Sequence, residues 1–369
     1  MQNLRNHWLW LGLLWLNAHV AMASPQGDLR PSPAAPSLAA PSPAGSSPAG
    51  SAEGGSAEAG HVTLADATAL FPHPAEFVQG EYSGSMLVDG RWQLYGLQVV
   101  ARGHGKFSAK LLPGGLPDDQ NLSPFPTELA GQIEQDRLVL KSSGGLAFEF
   151  QASPYYQFVQ TDSRQNVMAR LLRVQRYSAT LGAVPPATGI VLFREGVTNE
   201  LTDAKLSPEG NLAVGALTSF PVEDFRLHVE FRLPFQPEKS NQDRGNSGIY
   251  IQRRYEIQIL DSFGETPVEN NAGSIYKRIA PRGNFSLPPL TWQTYDIWFT
   301  SARWSPDGEK IANARVTVRH NGILIHDDVE IPGKTGAGWA ESPEPQAILF
   351  QNHSDPVEFR NVWLEKGAR

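Results

Sequence analysis

The sequence predicts an all-β protein, because short alternating runs and frequent turn residues recur along most of its length without convincing helical periodicity. In residues 226–233, apolar side chains at odd positions alternate with polar or charged ones at even positions, which is the period of a half-buried strand. Asn321-Gly322 separates two further alternating runs, a strong signal of a β-hairpin. Many short strands with regularly spaced turns indicate a sandwich or jelly roll.

Length, charge and cysteine content restrict the class of protein. A chain of 369 residues suggests two folded domains with additional segments. The net charge of −7 argues against a nucleic acid or an anionic membrane as partner, because both favour a basic surface. The chain has no cysteine, which excludes disulfides, thiolate catalysis and cysteine zinc sites.

The first 23 residues have the pattern of an export signal. Arg5 precedes the apolar run Trp8–Leu16, and residues 21–23 (Ala-Met-Ala) form a small-x-small cleavage pattern. The apolar run is too short to span a bilayer stably, and no later segment is apolar enough to do so. We therefore expect cleavage near Ala23 and a periplasmic or secreted protein, with an uncleaved anchor or a wrongly assigned start codon as the alternatives.

Composition divides the rest of the chain into a linker and two β-domains. Residues 24–60 are almost wholly Pro, Ala, Ser and Gly, which bury too little apolar surface to fold, so we expect a disordered tether. Residues 61–184 predict a small antiparallel barrel or sandwich of unknown role, and a second domain covers residues 190–366. The β-like runs of the first domain are Trp92–Arg102, Lys106–Leu112, Arg137–Lys141 and Leu146–Gln151.

A strand with nearby carboxylates is the most informative segment of the second domain. Alternation places Glu256 and Gln258 on the face opposite Ile257. Asp261 falls on the apolar side unless a bulge shifts the register. With a bulge, both carboxylates would share one face, and paired carboxylates are what glycosidic chemistry uses. The alternative is a half-exposed strand whose polar side chains face water.

Two loops carry further candidate side chains. Arg244 and Asn246 lie in a glycine-spaced loop and could bind sugar hydroxyls or hold an oxyanion; a simple turn is the alternative. His353, in the run Gln351-Asn352-His353, could be a general acid or base, or only a surface histidine.

The remaining candidates are cationic or aromatic. Arg360 could clamp an anion or pair with Glu358 or Glu230, and Tyr276 and Lys277 follow a flexible segment as candidate substrate contacts. No spacing of histidines and carboxylates forms a metal-binding motif, and no phosphate-binding or dinucleotide fingerprint occurs.

Several of these motifs occur together, in one order, in a known family. The motifs are Leu227–Arg232, Arg244–Tyr250, Tyr255–Gly264, Gly273–Lys277, Pro288–Asp296, His320–Gly322 and Phe359–Trp363. Together they resemble the 3-keto-disaccharide hydrolase family over roughly residues 190–366. The resemblance implies a concanavalin A-like jelly roll that acts on 3-keto-glycosides, by hydrolysis or by lyase action. In place of the usual Leu-Gln-Asp-His-Gly stretch, this chain has Asn352 before His353, so an aspartate that could orient the histidine or bind a metal is missing.

The chemistry implied by the resemblance needs three roles. A ketone at C3 acidifies the hydrogen on C2, so a base can remove it, and the enolate then expels the group at C1. No cofactor is indicated with certainty, although a divalent metal ion could replace an arginine as the enolate stabiliser. The candidates are His353 or Glu256 as base, Arg244 or Arg360 as oxyanion stabiliser, and Asp261 or Glu230 for the leaving group.

The sequence is compatible with three classes of function. The chain could be an enzyme acting on a carbohydrate, a non-catalytic carbohydrate-binding module of the same fold, or an exported structural protein with a vestigial site. A base with a perturbed pKa in a cleft would favour the enzyme. A shallow tryptophan-lined face without a base would favour binding.

Overall fold

The computed structural model describes residues 74–122, 125–152 and 155–367, so the predicted signal peptide and the whole of the predicted tether lie outside the described residues. The described part is nearly all β, as predicted. Its helical elements are α1 (Pro74–Val78) and one turn of 3-10 helix, Asn241–Asp243. No helix within these residues is long and apolar enough to cross a membrane.

The first β-domain is a closed antiparallel barrel in which each strand pairs with the next and the first pairs with the last. It is thus the barrel rather than the sandwich of the two predicted alternatives, and four of its strands match the four predicted runs to within one residue at each end. The strands are β1 (Gly80–Val88), β2 (Arg91–Ala101), β3 (Lys106–Pro113), β4 (Thr127–Glu134), β5 (Arg137–Lys141), β6 (Ala147–Gln151), β7 (Gln157–Thr161) and β8 (Val167–Val174).

Side chains fill the interior of the barrel. Tyr82 packs edge-on against Phe158, with ring centroids 4.9 Å apart, and Leu97, Phe148 and Leu171 are fully buried around them. An eight-stranded barrel has an interior of about the size that such side chains can fill. The barrel is therefore held by its own hydrophobic core.

The second β-domain is a sandwich of two antiparallel sheets, as expected for a jelly roll. The five-stranded sheet has the order β10 (Leu201–Thr202), β12 (Leu217–Thr218), β21 (Leu349–Phe350), β14 (Ser247–Ile251) and β15 (Tyr255–Ile259). The seven-stranded sheet has β11 (Leu212–Ala213), β22 (Glu358–Lys366), β13 (Phe225–Arg232), β16 (Trp292–Thr300), β19 (Ala314–His320) and β20 (Ile323–Ile331), with β9 (Ile190–Phe193) beside β22. A separate small hairpin joins β17 (Arg303–Trp304) to β18 (Lys310–Ala312).

One apolar core lies between the two sheets. Val229 and Phe231 of β13 and Ile257 and Ile259 of β15 belong to the same buried cluster. Burying a side chain of this size contributes about 1.5–3 kcal/mol. Because alternate residues point away from this core, each sheet also has a polar outer face, and the two outer faces lie on opposite sides of the sandwich.

The predicted hairpin at Asn321-Gly322 is confirmed. The two residues connect β19 to β20, and their φ angles of 53° and 83° are both positive. Two positive φ angles are what a tight two-residue hairpin turn requires, and asparagine and glycine adopt them at low cost. The sequence at this turn therefore sets the register of two strands of the seven-stranded sheet.

Candidate active site

The outer face of the five-stranded sheet gathers the polar residues of three neighbouring strands. Glu256 and Gln258 lie on β15, directly opposite Tyr250 and Gly248 of β14. Gln351 follows β21, and its backbone N–H donates a 2.9 Å hydrogen bond to the carbonyl of Gly248. The alternation that places Ile257 in the core thus turns these side chains away from it.

Glu256 is a buried carboxyl with few partners. It is 2% exposed and accepts a hydrogen bond from the hydroxyl of Tyr250. Burial raises the pKa of Glu256 to about 7, an effect that the Tyr250 hydrogen bond and the charge of Lys277 oppose only in part. A carboxyl with this pKa can both accept and release a proton near neutral pH.

The loop between β20 and β21 closes over Glu256. The backbone N–H of Glu256 donates a 2.8 Å hydrogen bond to Oγ1 of Thr335. The N–H of Ala337 donates to the hydroxyl of Tyr250, which thereby connects this loop to the carboxyl. Tyr250 was not predicted as a site residue, although the alternation on β14 is consistent with its facing outward. The contacts of Thr335 and Ala337 could not be predicted, because their loop is distant in sequence and carries no motif.

Two glycines leave the space that this arrangement needs. A Cβ atom at Gly248 would lie 2.6 Å from Oε1 of Glu256 and 3.2 Å from Oε1 of Gln351. A Cβ atom at Gly336 would lie 2.9 Å from the ring of Tyr276 and 3.4 Å from Oε2 of Glu256. A side chain at position 248 would therefore crowd the carboxyl, and one at position 336 would crowd the ring of Tyr276.

Tyr276 and Lys277 reach the carboxyl on the long segment between β15 and β16. The backbone N–H of Tyr276 donates a 3.1 Å hydrogen bond to the carbonyl of Glu256, and the side chain of Lys277 is exposed. Lys277 also lines a cavity of about 620 Å³ together with Val268, Glu269 and Asn270. The cavity therefore adjoins Lys277, whereas Glu256 is not among its lining residues.

Three amide side chains of the same face have unpartnered acceptors. Oδ1 of Asn246, Oε1 of Gln258 and Oε1 of Gln351 are buried and accept no hydrogen bond from the described residues. The amide nitrogens of Asn246 and Gln258 are already used, because both donate to Gln242. A buried acceptor without a donor costs about 1–3 kcal/mol. Hydroxyl groups of a bound sugar or water would supply the missing donors.

Arg244 and Asp261 lie elsewhere, as a buried ion pair between the sandwich and the barrel. Nε of Arg244 is 2.6 Å from Oδ2 of Asp261, and Nη1 donates to the carbonyl of Ala101 in β2 at 3.1 Å. β15 ends at Ile259, so no bulge brings Asp261 onto the face of Glu256. Both side chains therefore belong to the contact between the two domains and not to the face of Glu256.

Glu230 and Arg360 lie on the outer face of the other sheet. Nε of Arg360 donates to Glu230 at 2.8 Å, and Asn361 and the N–H of Gly182 donate to the same carboxylate. Burial raises the pKa of Glu230, but these three donors and His228, whose Nε2 is 3.7 Å away, outweigh it and hold the pKa at about 2. The core separates this carboxylate from Glu256, so one sugar cannot contact both. Of the predicted alternatives for Arg360, the pair with Glu230 is the one that forms.

His353 lies in an exposed loop beyond β21, two residues after Gln351. The neighbouring Asn352 accepts a 2.9 Å hydrogen bond from the N–H of Ser354, so its side chain bonds within its own loop. Among the described residues, no group of three or more histidines and carboxylates is placed to hold a metal ion. The structure therefore brings together Glu256, Asn246, Gln258, Gln351, Tyr276 and Lys277 from the predicted set.

Comparison with known proteins relates the sandwich to one family. The family model of the 3-keto-alpha-glucoside-1,2-lyase-like domain matches residues 192–365. No curated protein matches the chain significantly. Among solved structures, a glycosyl hydrolase candidate from Parabacteroides distasonis is 31% identical, with 49% of this chain and 84% of that chain covered and a TM-score of 0.45.

Two further glycosyl hydrolase candidates from the same organism are more distant. One is 14% identical, with 49% of this chain and 94% of that chain covered and a TM-score of 0.36. The other is 17% identical, with 48% and 98% covered and a TM-score of 0.33. With the domain match over residues 192–365, the chain belongs to the 3-keto-disaccharide hydrolase family and is a carbohydrate-active protein of the hydrolase or lyase type.

Proposed function

We propose that the protein is an exported enzyme that cleaves 3-keto-glycosides, with Glu256 as the base that removes the proton on C2. The observation that carries this proposal is a buried carboxyl whose pKa is raised to about 7, on a face lined with hydrogen-bonding groups. An ordinary glutamate with a pKa of 4.5 would be a weaker base at neutral pH.

The proposed step moves one proton and one leaving group. Glu256 takes the C2 proton, the electron pair of the C–H bond forms the C2–C3 enolate, and the enolate expels the oxygen at C1. The leaving oxygen takes a proton, and addition of water to the resulting unsaturated sugar completes a net hydrolysis. Without that addition the same step is a lyase reaction.

The neighbours of Glu256 fit the remaining roles. The charge of Lys277 acts on the Glu256 carboxyl, so Lys277, rather than Arg244 or Arg360, is the proposed stabiliser of the enolate. The amide oxygens of Asn246, Gln258 and Gln351 would accept hydrogen bonds from sugar hydroxyls. The cavity beside Lys277 would hold the leaving group, and the exposed His353 is the candidate to protonate it.

A non-catalytic carbohydrate-binding protein is the second candidate. The unpartnered amide oxygens favour it as much as they favour an enzyme, because they would bind hydroxyl groups whether or not a bond is broken. The raised pKa of Glu256 separates the two candidates, since binding alone does not need a base.

The test compares a 3-keto-disaccharide with its unoxidised parent. The purified protein is incubated with each sugar, and cleavage of the glycosidic bond is followed by mass spectrometry. We expect cleavage of the keto sugar alone, loss of cleavage in Glu256→Gln and His353→Ala, and normal cleavage in Glu330→Gln, an exposed glutamate on β20. Saturable binding without cleavage would support the second candidate.

Export is tested separately. The proposal rests on Arg5, the apolar run Trp8–Leu16 and the Ala-Met-Ala pattern at residues 21–23. Expression of the full chain in a Gram-negative host, fractionation and N-terminal sequencing should give a soluble exported product that begins at Ser24. A full-length product retained in the cell would contradict this part of the proposal.

A further inference from the structure

The segment that carries Tyr276 and Lys277 is attached to the barrel. We call residues 262–280, between β15 and β16, the bridging loop. Near its start, Arg102 of the barrel forms a 2.5 Å ion pair with Glu265, and Nζ of Lys110 donates a 2.9 Å hydrogen bond to Thr266. A Cβ atom at Gly264 would lie 2.7 Å from the side chain of Val100, so the backbone also packs closely against β2.

The other end of the bridging loop is attached to the strand of Glu256. The N–H of Tyr276 donates to the carbonyl of Glu256 at 3.1 Å, and the N–H of Gln258 donates to the carbonyl of Ser274 at 3.0 Å. The loop thus connects barrel side chains at one end to the candidate active site at the other.

Hydrogen bonds within the loop join these two ends. Nδ2 of Asn271 donates to the carbonyl of Thr266 at 2.9 Å, and the N–H of Lys277 donates to the carbonyl of Glu269 at 2.7 Å. Gln242 donates to the carbonyl of Asn270 at 2.8 Å and also accepts from Gln258 of the site. Displacement of residues 265–266 would therefore be transmitted to Lys277 through a short chain of bonded backbone.

The root of the loop is fixed to the barrel as well. Asp261, immediately before the loop, pairs with Arg244, whose guanidinium donates to the carbonyl of Ala101. Glu238 of the sandwich forms a further contact with His104, 3.0 Å away. The barrel therefore contacts the loop at its root and along its first turn.

We propose that the barrel is a positioning domain for the active site, and that Arg102 and Lys110 hold the bridging loop so that Tyr276 and Lys277 stand beside Glu256. The proposal gives a role to a domain without catalytic motifs of its own. The expected change in kcat/KM rests on the proposed function, whereas the expected change in the pKa of Glu256 does not.

Lys277 makes the positioning measurable. The groups that face Glu256 are Tyr250 from β14, Tyr276 and Lys277 from the bridging loop, and the loop after β20, where Lys334 donates to the carbonyl of Gly336. Among them, the Lys277 charge acts on the carboxyl from the bridging loop and lowers its pKa. If the loop is released from the barrel, Lys277 moves away more often, and the pKa of Glu256 rises.

The experiment uses the full chain with the double substitution Arg102→Ala and Lys110→Ala. The pKa of Glu256 is measured by carboxyl ¹³C NMR titration, with Glu256→Gln to assign the signal. We expect the midpoint to rise by ~0.5 pH in the double variant and further in Lys277→Met. Added to Lys277→Met, the double substitution should cause no additional rise, because its effect passes through Lys277.

Kinetics and controls separate positioning from simple loss of stability. The double variant should lower kcat/KM for the keto sugar about 3–10-fold while the thermal midpoint stays close to that of the wild type. Arg102→Lys should restore part of the activity. Arg137→Ala breaks an exposed ion pair within the barrel, to Glu149, and should change neither the titration nor the kinetics.

Two results distinguish this inference from the proposed function. An unchanged Glu256 midpoint in the double variant would overturn the positioning role, even if the wild type cleaves the keto sugar. A raised midpoint in a protein that cleaves nothing would support the positioning role and reject the proposed function. If the double variant is unfolded, Thr266→Val and Glu265→Ala remove the same bonds from the loop side.

Discussion

The two outer faces of the sandwich each contain a buried glutamate on an alternating strand, yet the two carboxyls have opposite properties. Glu230 accepts from Arg360, Asn361 and the N–H of Gly182, and its pKa lies at about 2. Glu256 has the Tyr250 hydroxyl and a more distant lysine, and its pKa is raised to about 7. Both carboxyls are buried, so burial does not explain the difference in pKa. The number of hydrogen-bond donors decides that Glu230 stays an anion and that Glu256 can exchange a proton.

Activity should separate the two faces most strongly. Glu256→Gln keeps the shape but removes the base, so kcat/KM for a 3-keto-glycoside should fall by about 10²–10⁴-fold. Glu230→Gln should change it by less than ~3-fold, because Glu230 is on the far side of the core. Steady-state assays of folded protein check both. An equal loss in the two variants would mean that the faces do not differ in function.

Stability should show the reverse order. Glu230→Gln leaves Arg360 without its partner anion and should cost about 2–4 kcal/mol of unfolding free energy at pH 7. That contribution is present above the ordinary glutamate pKa of 4.5 and is lost as the pH falls towards 2. Urea unfolding at pH 7 and pH 3 would measure it. A cost that is the same at both pH values would contradict the assignment of Glu230 as a paired anion.

Glu256→Gln should instead stabilise the protein at alkaline pH. Because the folded pKa of about 7 exceeds the ordinary 4.5, the carboxyl favours folding less as the pH rises from 4.5 through 7. Removing the charge should therefore add up to about 3 kcal/mol at pH 8 and almost nothing at pH 4. Urea unfolding of both proteins at the two pH values is the measurement. A stabilisation larger at pH 4 than at pH 8 would contradict a raised pKa of Glu256.

The alternation and turn residues were enough to predict most of the fold. They predicted the all-β class, the hairpin at Asn321-Gly322 and the outward direction of Glu256 and Gln258, because each depends on neighbours in sequence. They could not predict that Arg244 and Asp261 join the domains, since Ala101 is far away in the chain. An alternating strand has the same sequence pattern in either sheet, so the sequence could not distinguish Glu230 from Glu256 as a candidate catalytic residue.

The smallest expected effect concerns the space around Glu256. Gly248→Ala puts a methyl group 2.6 Å from Oε1 of Glu256, which must move aside, and kcat/KM should fall by about 10-fold. Gly333→Ala is the matched control, because its nearest neighbour would be 3.8 Å away. The same assay checks both. Equal activity of the two alanine variants would show that the position of the carboxyl tolerates displacement.

The central claim is that Glu256 removes the proton on C2 of a 3-keto-glycoside. The most direct measurement compares cleavage of the substrate with hydrogen and with deuterium at C2, across pH 5–9. We expect slower cleavage of the deuterated substrate and a kcat/KM that rises with pH through a midpoint of about 7. Equal rates for the two substrates, or equal cleavage of the unoxidised glycoside, would contradict it.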